Sequence, residues 1–341
     1  MVSCGIIGYG YWGPNLARNV SEAAGAKLSA ISDMQQAALD RAGSRYPGVS
    51  LHRNWLDMIS DPKIDAVLVA TPVSSHFEIA LAALQAGKHV LVEKPITTTS
   101  AEARTLIEEA DRRGLILMVD HTFVYTPAVR KIRELIVDGS LGDIYYYDST
   151  RVNLGLFQSD VNVIWDLAVH DFSILEFLLD KRPAAISASG SSHIEGRPEN
   201  IAHLTLFFES GTVAHLNVNW LAPVKVRQTL IGGSRKMIVY DDMQNSEKIK
   251  VYDRGVDVIS DTELMKQMRV SYRMGDMWAP QLSVREALLT EITHFVECIE
   301  QGKRPDTSGE NGLSVVEMLE AAMKSTRSRG APVELGQCRG E

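Results

Sequence analysis

Glu93-Lys94-Pro95 closes the apolar run HVLV, so a carboxylate, an amine and a proline arrive in succession at the mouth of an apparent buried strand. A charged pair there costs desolvation free energy unless a ligand uses it, which makes the triplet a site candidate. Earlier in the chain, Gly8-Tyr9-Gly10-Tyr11-Trp12-Gly13 follows the run SCGII and precedes the helical PNLARNV. In this G-x-G-x-x-G pattern Gly8 permits a tight turn, Gly10 lets backbone approach a pyrophosphate, and Gly13 lets helix pack on strand. Asp33 stands 25 positions after Gly8, at the end of LSAISD. An acid there accepts ribose hydroxyls and repels a 2′-phosphate, so the pattern predicts NAD rather than NADP. Thr71, Pro72 and His76, in VATPVSSH, belong to a loop that would lie over the cofactor; His76 is either ligand-facing or a surface residue at a helix start.

These residues need strand ends to hold them. Over the first 120 or so residues, β-branched runs (Ser3 to Ile7, Lys27 to Ser32, Ala66 to Ala70, His89 to Val92, Leu115 to Val119) alternate with amphipathic segments. That alternation predicts βαβ crossovers and a parallel sheet, with Gly87 and Gly114 as helix C-caps. After about Phe123 the texture becomes successive strands, among them DIYYYDSTRVN, IAHLTLFFESGTVAHLNVNWL and EKIKVYDRG. Helices are expected at Pro127 to Asp138, around Asp166 to Leu179, near Arg285 to Gln301 and from Gly312 to Arg329. The fold class is therefore α/β: an N-terminal Rossmann domain over 1–122, then an α+β domain over 123–341 with a large, mostly antiparallel, open-faced sheet for substrate binding and oligomerisation. GKRPDTSGENG reads as a surface loop.

Bulk properties narrow the function class. A net charge of -8 and the absence of a Lys/Arg block argue against nucleic acid or an anionic membrane as partner. Cys4, Cys298 and Cys338 lack C-x-x-C spacing, which disfavours disulfides and a metal site and suits a reducing compartment. With no leader-like start and no apolar stretch near membrane-spanning length, the expected location is cytoplasmic.

Several segments together resemble the Gfo/Idh/MocA family of NAD(P)-dependent sugar oxidoreductases. They are GIIGYGYWGPNLARN, DAVLVATPVSSHFEIALAALQAGKHVLVEKP, HTFVYTPAV, NVIWDLAVHDFSIL, YRMGD and EITHFVECIEQGKRP, and they span nearly the whole chain. The resemblance implies Lys94, Asp166 and His170 as catalytic residues. Spacing of four puts Asp166 and His170 on one helical face, and imidazole suits proton exchange with a sugar hydroxyl near neutrality. Lys94 would stabilise the developing alkoxide, and Asp166 would bind a neighbouring hydroxyl or tune the other two. It also implies that Gly8, Gly10, Tyr11, Trp12, Gly13, Asp33, Thr71, Pro72, His76, Glu93, Lys94 and His121 line the cofactor, with Glu93 in a structural capacity. Relatives often carry Pro or Gly between the Asp and the His; Leu167-Ala168-Val169 here predicts a more regular helix, and Asp120 replaces a commonly small residue.

Within the family the chain looks most like members of nucleotide-sugar pathways, which act at C3 of UDP-linked N-acetylamino sugars or uronates. That likeness implies Arg151, Asn153, Asn162, Tyr272 and Arg273 as substrate-binding residues, no metal, and a homodimer or homotetramer. Trp165, Phe172 and Ile174 read as core, and Trp220 as either core or a sugar-stacking surface. The alternatives are an inositol or free-sugar dehydrogenase, a keto-sugar reductase, an NAD-dependent glycosidase and a non-catalytic NAD-binding sensor.

Overall fold

A computed structural model describes residues 1–155, 161–258 and 270–336; Cys338 lies outside them. The chain forms two compact units, Met1–Thr126 with Val284–Glu317, and Pro127–Ser283 with Met318–Glu341.

In the first unit β1 (Val2–Ile7), β2 (Ala26–Ser32), β3 (Ser50–His52), β4 (Ala66–Val69), β5 (His89–Glu93) and β6 (Leu117–Asp120) form a six-stranded sheet in the order β3-β2-β1-β4-β5-β6. Every pairing is parallel. The strand order reverses between β1 and β4, so the carboxyl ends of β1 and β4 flank the crevice where open α/β sheets bind ligands. The crossover helices are α1 (Gly13–Glu22), α2 (Gln36–Arg45), α3 (Trp55–Ile59), α4 (His76–Gln85) and α5 (Ser100–Arg113). A Thr99/Glu102 capping box starts α5, and Gly114, left-handed at φ 65°, ends it as expected.

The second unit contains α6 (Pro127–Val137), β7 (Ile144–Leu154), α7 (Val169–Leu179), β8 (Ala185–Ser191), β9 (Ile201–Phe207), β10 (Val213–Asn219), β11 (Leu221–Gly233), β12 (Met237–Asp241), β13 (Ile249–Val258) and β14 (Val270–Trp278). With β15 (Val333–Glu334) they make a nine-stranded sheet, antiparallel except where β10 runs parallel to β7. The α7 helix is tied to it by a buried ion pair between Asp171 and Arg151 of β7.

The C-terminal segment departs from a simple two-part division. The α8 helix (Ala287–Gln301) belongs to the first unit, burying Leu288, Ile292, Phe295 and Val296. Arg18 and Asn19 of α1 both donate to Glu286 just before it. The α9 helix (Gly309–Arg327) begins in the first unit and ends in the second. The stretch 302–312 is not the plain surface loop that its polar composition suggests. Thr307 and Ser308 are buried, and Thr307 exchanges hydrogen bonds with the Val119 backbone, covering the otherwise open edge of β6. No helix among the described residues is long and apolar enough to cross a membrane.

Candidate active site

The turn after β1 has the geometry of a dinucleotide cradle. Gly8 has φ +95°, and a Cβ there would stand 2.5 Å from the Ala70 carbonyl oxygen; one on Gly13 would stand 2.1 Å from the Gly8 carbonyl oxygen. A Cβ on Gly10 would meet nothing within 4 Å, which leaves its backbone open to close approach by a ligand. Asp33 is anchored beneath the turn, accepting from the Tyr9 N–H at 2.7 Å and the Gln35 N–H at 2.8 Å. These residues fit an NAD pyrophosphate and ribose. Tyr11 is 93% exposed, so its side chain faces water and only its backbone takes part in the turn. Trp12 turns the other way: its indole Nε1–H donates to Asp120 Oδ2 at 2.9 Å.

At the end of β5 the Lys94-Pro95 peptide is cis. His76 is neither ligand-facing nor superficial. It is buried, with one ring nitrogen 2.9 Å from the Pro95 carbonyl oxygen and the other 2.8 Å from that of Thr71. Burial holds its pKa below the ordinary value, so the neutral imidazole donates to one of these two carbonyls and packs against the other, between the loop after β4, which carries Thr71 and Pro72, and the loop after β5. Glu93 also departs from a cofactor-lining role. Its Oε1 is buried, and burial followed by the charge of Asp120, its partner across the β5/β6 ladder, pushes its pKa well above the carboxylate range.

His121, directly after β6, is 1% exposed, and neither ring nitrogen has a hydrogen-bond partner among the described residues. Burial lowers its pKa to about 4, Asp120 opposes that shift and Lys94 adds to it. A neutral imidazole with both nitrogens unspent, at the carboxyl end of the sheet, fits a polar cofactor group.

In the second unit Asp166 and His170 stand at the entry to α7. That entry is not the regular helix that Leu167-Ala168-Val169 suggests: Ile164–Ala168 is a π-helical turn. Asn162 anchors it, its side-chain Oδ1 accepting from the Trp165 N–H and its carbonyl from the Asp166 N–H. Such wide turns recur at functional sites. Trp220, 1% exposed, donates its indole N–H to Asp166 Oδ2 at 3.1 Å and is core rather than a stacking surface. Phe172 and Ile174 are buried as expected, while Trp165 is half-buried.

The expected substrate contacts divide. Arg151 is buried, with Nε 2.8 Å from Asp171 Oδ2; a guanidinium committed to a buried carboxylate beside the Ser149 hydroxyl serves the core rather than a sugar. Asn162 is likewise structural, donating to Glu199 Oε2 at 2.9 Å. Arg273 pairs with Asp253 at 3.0 Å. Asn153 is half-buried on β7, and Tyr272 lies on β14, where its backbone pairs with Val256. Sequence reasoning passed over Asp171 and Glu291; their partners are sequence-distant, and only the i+5 spacing of Asp171 from Asp166 hinted at a second acid on the helix. Among the described residues no group of His, Cys, Asp and Glu is arranged to hold a metal.

Comparison with known proteins agrees with this geometry. Residues 2–121 match the model of an oxidoreductase family with an NAD-binding Rossmann fold, and residues 133–335 match that family's C-terminal alpha/beta domain. A myo-inositol 2-dehydrogenase of Thermotoga maritima is 24% identical, covering 95% of this chain and 96% of its own. A UDP-N-acetylglucosamine 3-dehydrogenase of Acidithiobacillus ferrooxidans is 29% identical over 70% of this chain and 71% of its own. An Agrobacterium radiobacter oxidoreductase solved with NAD+, L-tartaric acid and magnesium shares the fold at TM-score 0.82 and 18% identity, over 98% of each chain. The protein is thus an NAD-binding oxidoreductase that belongs to the Gfo/Idh/MocA family.

Proposed function

We propose that this oxidoreductase acts at C3 of a nucleotide-linked N-acetylamino sugar or uronate, and that the same residues serve the reverse reduction of the keto sugar. The observation that carries the reading is the Asp166 carboxylate, held by the Trp220 indole on a π turn with His170 four residues on. His170 takes the hydroxyl proton, Lys94 stabilises the alkoxide as it develops, and Asp166 orients a neighbouring hydroxyl. NAD, when bound, supplies the two-electron acceptor. Gly8, Gly10 and Gly13 would seat its pyrophosphate and Asp33 its ribose, while Thr71, Pro72 and His121 line the same strand ends. Asn153 and Tyr272 remain the candidates for sugar contacts.

The choice of a nucleotide sugar is supported by the similarity to a UDP-N-acetylglucosamine 3-dehydrogenase. A second reading, inositol oxidation, has its own support in an inositol dehydrogenase that matches over nearly the whole chain. NADH formation measured side by side with UDP-N-acetylglucosamine, its uronate, myo-inositol and scyllo-inositol separates them. The proposal expects turnover with a UDP-sugar and a 3-keto product; turnover confined to the inositols would replace it with the second reading.

We also propose that a second copy of this chain covers the outer face of the nine-stranded sheet. Phe207, Val213 and Tyr146 line up in register across β9, β10 and β7, and Leu230 of β11 shares their face, a partly apolar surface. Light scattering should return a dimer or tetramer mass, and a monomer would refute it.

A further inference from the structure

The acidic residue at the end of β6 has no role in the chemistry above, yet it joins the cofactor loop to the strand end that precedes Lys94. Asp120 is 3% exposed. Its Oδ2 accepts the Trp12 indole N–H at 2.9 Å, and its Oδ1 accepts the Thr122 hydroxyl at 2.5 Å. Across the parallel ladder it sits opposite Glu93, the residue before Lys94. From α8 comes Glu291, fully buried, with neither carboxyl oxygen bonded to any donor among the described residues.

Three carboxyl groups packed together in a dry interior cannot all be ionised. Burial, then the charge of Asp120, pushes Glu93 and Glu291 well above the usual carboxylate range. Burial pushes Asp120 upward too, but its polar neighbours, Glu93 first and then Thr122, Trp12 and Glu291, outweigh it and lower its pKa. Of the three carboxyls, Asp120 is the one whose pKa is lowered, so it is the one that favours the charged form. An indole N–H on an ionised, buried carboxylate is a strong and directional bond, so the Trp12 side chain and the turn between Gly10 and Gly13 are held from the far half of the sheet.

We infer that Asp120 is a positioning residue which, through Trp12, holds the dinucleotide loop in its binding form and links it to the β5 end bearing Lys94. The inference rests on the reading of the glycine turn as the NAD site. Calorimetric titration of NAD into the intact protein, Trp12→Phe, Asp120→Asn and the double variant tests it, with thermal unfolding of each to establish that it is folded. Trp12→Phe keeps an aromatic ring and removes the donor along with the second ring of the indole. The expected result is about tenfold weaker NAD binding in Trp12→Phe, a smaller loss in Asp120→Asn, and no loss in the double variant beyond that of Trp12→Phe, because one change removes the donor and the other the charge of the acceptor in the same bond. In turnover assays the KM for NAD rises while the sugar KM stays unchanged. NAD affinity in Trp12→Phe equal to that of the intact protein, or losses that multiply in the double variant, would overturn the inference. Failure of the intact protein to bind NAD would overturn the cofactor reading itself, and this inference with it. Should Asp120→Asn not fold, the Trp12→Phe affinity and its KM pattern decide alone.

Discussion

The Trp220 indole nitrogen donates to Asp166 Oδ2 across 3.1 Å, so the carboxylate proposed to orient the sugar is fixed by a residue of the sheet core. One carboxylate oxygen is spent on that bond.

Replacing Trp220 by Phe removes the donor and leaves a small void. A hydrogen bond to a charged group contributes about 1.5–3 kcal/mol, so kcat/KM should fall by about tenfold or more. Urea unfolding will register a stability loss on the order of 1–3 kcal/mol from the lost volume. Steady-state kinetics equal to those of the intact protein would show that Asp166 needs no such support.

Arg151 and Asp171 make a buried pair at 2.8 Å. Arg151→Met strands a buried carboxylate and should cost about 3 kcal/mol or more, whereas Arg151→Met combined with Asp171→Leu should recover most of that loss. Chemical denaturation of the two variants beside the intact protein checks both statements. A normally stable Arg151→Met protein with a raised sugar KM would restore the arginine to substrate binding.

His121 contributes a signed pH dependence. Its pKa falls from an ordinary 6.5 to about 4 on folding, chiefly through burial. Between those values the unfolded chain binds a proton that the folded chain refuses, so this contribution is present above about pH 6.5 and lost as the pH falls through about 4. The full span is on the order of 3 kcal/mol. In His121→Gln the fall in stability over this window should be shallower; an unchanged slope would mean that His121 is solvated.

Glu291 works in the opposite sense. Burial, and then the charge of Asp120, raises its pKa well above 4.5. From about pH 4.5 upward the unfolded chain therefore releases a proton that the folded chain keeps, and stability declines until the pH passes the raised value. Glu291→Gln keeps the shape of the side chain without the titration, so its stability should decline less between weakly acidic and weakly alkaline buffer. Equal slopes for the two proteins would contradict a protonated Glu291.

Much of the architecture was legible in the sequence because it depends on local pattern. The runs around Ile6, Val67 and Leu91 are apolar on both faces, and they became the central parallel strands. The three-residue edge strand Ser50–His52 has no such run, and its pairing with β2 is set by the sheet. The glycine turn was readable because each glycine answers a separate steric demand; Gly8 and Gly13 meet backbone and Gly10 meets none. The π turn at Asp166 was hidden, since Leu, Ala and Val are compatible with an ordinary helix and the wide turn is anchored by Asn162. Arg151 was misread because its partner Asp171 lies twenty residues away and a strand arginine looks alike whether it faces a ligand or a helix. The Glu93, Asp120 and Glu291 cluster joins residues nearly two hundred positions apart, a convergence that no spacing rule encodes.

Lys94, Asp166 and His170 are proposed to carry an NAD-dependent oxidation of a sugar hydroxyl. The most direct measurement is NADH formation from a UDP-N-acetylamino sugar by the intact protein and by Lys94→Ala, Asp166→Asn and His170→Gln, each first shown by calorimetry to bind NAD. The expected result is turnover by the intact protein and a loss of about a hundredfold or more in each variant with NAD affinity retained. Undiminished turnover in the Lys94→Ala and His170→Gln proteins would contradict it.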